Sequence, residues 1–152
     1  LILNIGDLDK TILKKACSFC IYQERTQQEM RTKLLQWKVN EEQTEEIIAW
    51  LINENFINEE RFAKTYAGSK FRVKNWGRNK IKFSLKSKGL SNYCIESGLK
   101  EIEAEDYIKT MQNLIEKKDN QFLEANHLIK KQKIMNYLLA KGFEIDEILK
   151  LL

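Results

Sequence analysis

The chain has 152 residues, enough for one compact domain or a short array of small repeats with a real core. Charged residues make up 32% and proline is absent, a profile that favours a soluble, helix-rich protein. No apolar run approaches the roughly 18–20 residues of a membrane span, which excludes a spanning helix.

The opening stretch LILNIGDLDK has no basic n-region, and Asn4, Gly6 and Asp7 break its apolar run, so it does not read as a signal peptide. It also lacks an initiating Met, as expected of a piece of a longer chain. Helical periodicity begins in LDKTILKKACSFCIYQE, where Ile12, Leu13, Ala16, Phe19 and Cys20 share a face. Cys17 and Cys20 form a C-x-x-C, and with Cys94 the thiols are odd in number in a chain with no export signal. Reduced thiols of a cytoplasmic protein are expected. A zinc site needs four ligands, the sole histidine (His127) is remote and no second C-x-x-C exists, so buried core thiols and no metal are predicted.

TQQEMRTKLLQW opens on a capping box, Thr26 with Glu29, followed by the apolar stripe Met30, Leu34 and Trp37. EEQTEEIIAWLINENF is the third helix, with Ile47, Ile48, Leu51 and Ile52 on one side. From Arg61 to Ile95 there is no Asp or Glu, although the frequency of acids in the chain would place about five there. The ten cations of this stretch are Arg61, Lys64, Lys70, Arg72, Lys74, Arg78, Lys80, Lys82, Lys86 and Lys88. The rest of the chain is net acidic, at −6. A positive field focused on one region predicts an anionic partner there.

In the helix EERFAKTYAGSKFRV, Phe62, Tyr66 and Ser69 are expected on the core side, with Arg61, Thr65, Gly68 and Arg72 along another azimuth. In the helix after Gly77, Arg78, Lys82 and Lys86 form an i, i+4, i+8 stripe beside the core stripe Ile81 and Leu85. Like charges at i, i+4 cost a helix a few tenths of a kcal/mol, and no acid of the same helix relieves them. An external anion explains the arrangement. The competing explanation is a solvated face, or pairing with glutamates of neighbouring units. Trp76 could stack on a base, but capping the interhelix core is the plainer role for it.

The pattern recurs. Met30, Leu34 and Val39 match Ile81, Leu85 and Leu90 at a shift of 51, and these match Ile134, Leu138 and Phe143 at a shift of 53. KSKGL (86–90) and LAKGF (139–143) share a Lys-Gly-apolar helix stop. After the stops, Ile47/Leu51, Ile95/Leu99 and Ile148/Leu152 align. The expected fold is all-α: three tandem three-helix repeats over 8–57, 58–102 and 103–152, in an elongated, curved array. Catalysis is not expected. The chain has no phosphate-cradling loop, no H-E-x-x-H and no second histidine for a triad, and the pairs Glu41-Glu42 and Glu59-Glu60 sit at helix starts, where they meet the positive dipole end.

Residues 51–90 resemble the signature region of the RecX family of bacterial recombination regulators. The matching positions are Leu51, Glu59, Glu60, Arg61-Phe62-Ala63, Tyr66, Arg72, Gly77, Ile81, Leu85 and Lys88-Gly89-Leu90. Asn53 and Asn58 stand where the family often carries acids. The resemblance implies a non-enzymatic monomer that modulates RecA in recombination, DNA repair and the SOS response. It would lie in the groove of the RecA–DNA filament, with single-stranded DNA as a component, and inhibit ATP hydrolysis and strand exchange without a cofactor. The ten cations are the candidate RecA- and DNA-binding residues. A stand-alone single-stranded DNA- or RNA-binding module is the alternative. Arg61 is open to two roles: holding a carboxylate or phosphate of a partner, or pairing with an acid of the first unit, with Glu54 or Glu59 as candidates.

Overall fold

The computed structural model describes residues 9–152; residues 1–8, with the stretch read as no signal peptide, lie outside the described residues. The described residues form nine helices and no strand. Unit 1 contains α1 (Lys10–Tyr22), α2 (Gln27–Gln36) and α3 (Glu41–Asn53). Unit 2 contains α4 (Glu59–Lys74), α5 (Arg78–Ser87) and α6 (Asn92–Leu99). Unit 3 contains α7 (Ala104–Gln121), α8 (His127–Ala140) and α9 (Ile145–Leu151). Short polar side chains start most of them by accepting from otherwise unpaired N–H groups. Asn40, Asn58 and Ser91 each accept from one such group and Asp9 and Asn126 from two, while Thr26 and Glu29 form the predicted reciprocal box.

The three stops are one structure made three times. Val39 N–H donates to Leu34 O at 3.0 Å, Leu90 to Leu85 at 3.3 Å and Phe143 to Leu138 at 3.1 Å. The residue before each of these is left-handed: Lys38 at φ 62°, Gly89 at 85° and Gly142 at 97°. Unit 1 thus puts a lysine where glycine is unstrained. Lys38→Gly should raise stability by about 0.5–1 kcal/mol, read as a higher urea midpoint with an unchanged slope.

Two cores result. Unit 1 buries Leu13, Ala16, Cys20, Met30, Leu34, Ile47, Ile48, Leu51 and Ile57, whereas units 2 and 3 share a single cluster from Phe62 to Ile148. Three details depart from expectation. Ile52 is 42% exposed, because the inward face of α3 is Ile47, Ile48 and Leu51. On α4 the inward residues are Phe62, Ala63, Ala67 and Phe71; Tyr66 is half-buried and Ser69 exposed. Cys20 is buried as expected, but Cys17 lies at the edge of the core. Burial, then the neighbouring Cys17, pushes the Cys20 thiol up to about 11, so it is protonated at neutral pH.

Between units, the hydrogen bonds and ion pairs of the described residues join unit 1 to unit 2 and unit 2 to unit 3, never unit 1 to unit 3. The two junctions differ in kind. Units 1 and 2 meet through side chains: Gln27 with Glu59, Glu24 with Arg61 and Glu29 with Lys88. Units 2 and 3 meet through backbone as well as side chains. The start of α5 has no side-chain cap. Instead Gly77 N–H donates to Lys141 O at 2.8 Å, Arg78 N–H to the Tyr107 hydroxyl at 2.9 Å and Asn79 N–H to Gly142 O at 2.9 Å. The C-terminal carbonyls of α8 cap the N-terminus of α5, with the two helix-end charges matched.

Candidate partner-binding surface

The ten cations of the acid-free stretch divide into two groups. Five are held by carboxylates. Arg61 Nε lies 2.7 Å from Glu24 Oε1, and its Nη2 donates to the carbonyls of Asn55 (3.1 Å) and Phe56 (3.4 Å). Arg78 Nη1 is 3.1 Å from Glu144 Oε2, and its guanidinium stacks 3.8 Å above the Tyr107 ring centre. Lys88 is 3.7 Å from Glu29, Lys82 3.7 Å from Glu96 and Lys64 3.6 Å from Glu60. Three of these five pairs cross a unit boundary. The glutamates of neighbouring units therefore take up part of the charge, and Arg78 does not share a free stripe with Lys82 and Lys86.

For Arg61 the geometry favours the structural role, with Glu24 as the acid rather than Glu54 or Glu59. Its fork spans one carboxylate and two backbone oxygens at the unit 1–2 junction. Arg61→Lys keeps the charge and leaves carbonyls unpaired, so it should cost about 1–2 kcal/mol and lower the melting temperature.

The other five, Lys70, Arg72, Lys74, Lys80 and Lys86, have no carboxylate within ion-pair distance among the described residues. The Nζ atoms of Lys70 and Lys80 lie 5.1 and 4.6 Å from the Trp76 ring centre, which also meets Tyr66 edge-on at 6.5 Å. Trp76 packs against the core, so the capping role is the one observed. Arg72 lies back over Gly68, its guanidinium within 2.8 Å of where a Cβ would stand. Arg72 and Lys74 occupy the last turn of α4, where cations meet the negative end of the helix.

Unit 3 adds charge that its acidic balance conceals. Lys141 Nζ donates to Lys74 O at 2.7 Å, and its ammonium is depressed first by burial and then by Lys80, Lys118, Lys74 and Lys117. These cations crowd the unit 2–3 junction. Sequence reasoning passed over Lys141, although it is the lysine of the LAKGF stop. At the other junction an open cleft of about 480 Å³ runs between Glu24 and Glu29 on one side and Lys70 and Lys88 on the other, over Phe62 and Tyr66. Among the described residues no cluster of His, Cys, Asp or Glu could hold a metal, and no helix is long and apolar enough to cross a membrane.

Comparison with known proteins follows the same three-unit division. Family models for the first, second and third three-helix domains of RecX match residues 13–51, 58–99 and 105–152. The chain is 34% identical over 143 residues to Regulatory protein RecX of Clostridium acetobutylicum, covering 90% of this chain and 66% of that protein. It is 31% identical over 127 residues to Regulatory protein RecX of Haemophilus influenzae, covering 83% and 82%. Against other relatives it spans little more than half of their length, 54% for Regulatory protein RecX of Bacillus cytotoxicus and 58% for that of Clostridium perfringens. The crystal structure of RecX from Lactobacillus salivarius superposes with a TM-score of 0.85 at 29% identity, over 91% of this chain and 90% of that one. With each of its three helical units matched in order, this chain belongs to the RecX family of regulatory proteins.

Proposed function

We propose that this protein binds the RecA–DNA filament and inhibits RecA ATPase and strand exchange, as a cytoplasmic, non-enzymatic monomer. The observation that carries the reading is the match of all three units to a family of regulatory proteins. Units of 8–57, 58–102 and 103–152 would act as successive modules along the filament. The cations without carboxylate partners, Lys70, Arg72, Lys74, Lys80 and Lys86, would meet acidic protein surface or phosphate, and Lys141 would extend that field. The three cations paired across unit boundaries, Arg61, Arg78 and Lys88, would instead keep the modules in register.

The test is RecA ATPase activity on single-stranded DNA, titrated with this protein. A dose-dependent fall supports the reading. Unchanged hydrolysis, together with tight binding to bare single strands, would replace it with a stand-alone nucleic-acid-binding module.

A further inference from the structure

The solvent-facing positions of the three units are not alike. On α5, Phe83 is 77% exposed and packs on neither core. One turn away on either side lie Asn79, Lys80, Lys86 and Ser87. The repeat register puts Thr32 at this position in unit 1 and Asn136 in unit 3, both exposed and polar. The first turn of α6 shows a similar exchange. Tyr93 is 72% exposed and no acid stands in that turn, whereas α3 opens on Glu41 and Glu42 and α9 on Asp146 and Glu147.

The two rings stand on the neighbouring helices α5 and α6. Lys82 of α5 reaches Glu96 of α6 at 3.7 Å. Lys86 follows Lys82 by one turn, and Tyr93 precedes Glu96 by one turn. Within the acid-free stretch 61–95, two positions that are polar or acidic in the other units are aromatic. Flat rings among unpaired cations match the two chemistries of an unpaired strand, π-faces and phosphates.

We propose that Phe83 and Tyr93, with Lys86, form a platform on which bases of a single-stranded nucleic acid stack. The inference builds on the reading above, in which a single strand lies within the filament, but its test needs no RecA. The measurement is fluorescence anisotropy with a labelled oligothymidylate and an abasic strand of equal length. The parent should bind the oligothymidylate about tenfold more tightly than the abasic strand, as base–aromatic stacking affords. Phe83→Ala should lose most of that preference at an unchanged melting temperature, and Phe83→Trp should keep it. Lys86→Ala should weaken both strands alike and lower the salt dependence.

Equal affinity of the parent for the two strands, no measurable binding to either, or an undiminished preference in Phe83→Ala would overturn the platform. RecA ATPase assays on the same variants keep the two readings apart. A parent that prefers bases yet leaves RecA untouched supports the platform and sinks the filament reading. A Phe83→Ala variant that loses inhibition while binding oligonucleotides as before makes Phe83 a protein contact and overturns the platform.

Discussion

Gly142→Ala should destabilise the protein by about 3–4 kcal/mol, because it adds left-handed strain to a steric clash. Gly142 has φ 97°, and a Cβ there would stand 2.3 Å from Lys80 Cβ and 2.6 Å from its backbone nitrogen. Neither neighbour can yield, since the start of α5 is hydrogen-bonded to the same loop through Gly77 and Asn79. Gly77→Ala meets the other side of the contact, with its Cβ 2.3 Å from the Gly142 carbonyl carbon. Gly89 is the control. It has φ 85° but only Gln28 Nε2 nearby, at 3.9 Å, so Gly89→Ala should cost about 1–2 kcal/mol from backbone strain alone. Urea midpoints of the three variants check the ordering. Equal losses at Gly89 and Gly142 would mean that the backbone contact between units 2 and 3 adds nothing.

That contrast also shows what could be read in the sequence. The stops at Gly89 and Gly142 were legible because Lys-Gly-apolar is a local signal, acting within one turn. The docking of Gly77 against Gly142 was not, since it joins residues that only the fold brings together. The core of α4 was misread for a related reason. Periodicity weighted by size selects Phe62 and Tyr66, but α6 crosses so close that a Cβ on Gly98 would lie 2.7 Å from the Ala63 carbonyl. Small residues make that approach possible, so the buried face runs through Ala63 and Ala67. The acid-free stretch was visible as composition. Its division into paired and unpaired cations was not, because Glu24, Glu29 and Glu144 are distant in sequence from the cations they hold. Phe83 and Tyr93 carried a signal that was available, an aromatic replacing a polar residue at an equivalent repeat position.

Arg78→Ala and Lys86→Ala should therefore part company, although the sequence sets both on one stripe. Removing Arg78 strips a partly buried Glu144 of its cation and Tyr107 of the guanidinium on its ring. The side chains of Arg78 and Glu144 are 28% and 29% exposed, which discounts the pair for solvent screening and leaves a loss of about 2 kcal/mol. Tyr107 shares in this. Burial, then its hydrogen bond to Glu144, pushes the phenol well above its ordinary value of 10.0. A raised folded-state value means stability that is fully present below the ordinary phenol range and lost as pH climbs through and beyond it. Tyr107→Phe should flatten that alkaline loss. Lys86 has no carboxylate partner among the described residues and is exposed, so Lys86→Ala should leave the melting temperature alone. If Lys86 meets a phosphate, its removal should reduce the log–log salt slope of filament binding by about one. Arg78→Ala should leave that slope unchanged, because Arg78 is already neutralised by Glu144. A slope that falls for Arg78 and not for Lys86 would reverse the assignment of junction and contact.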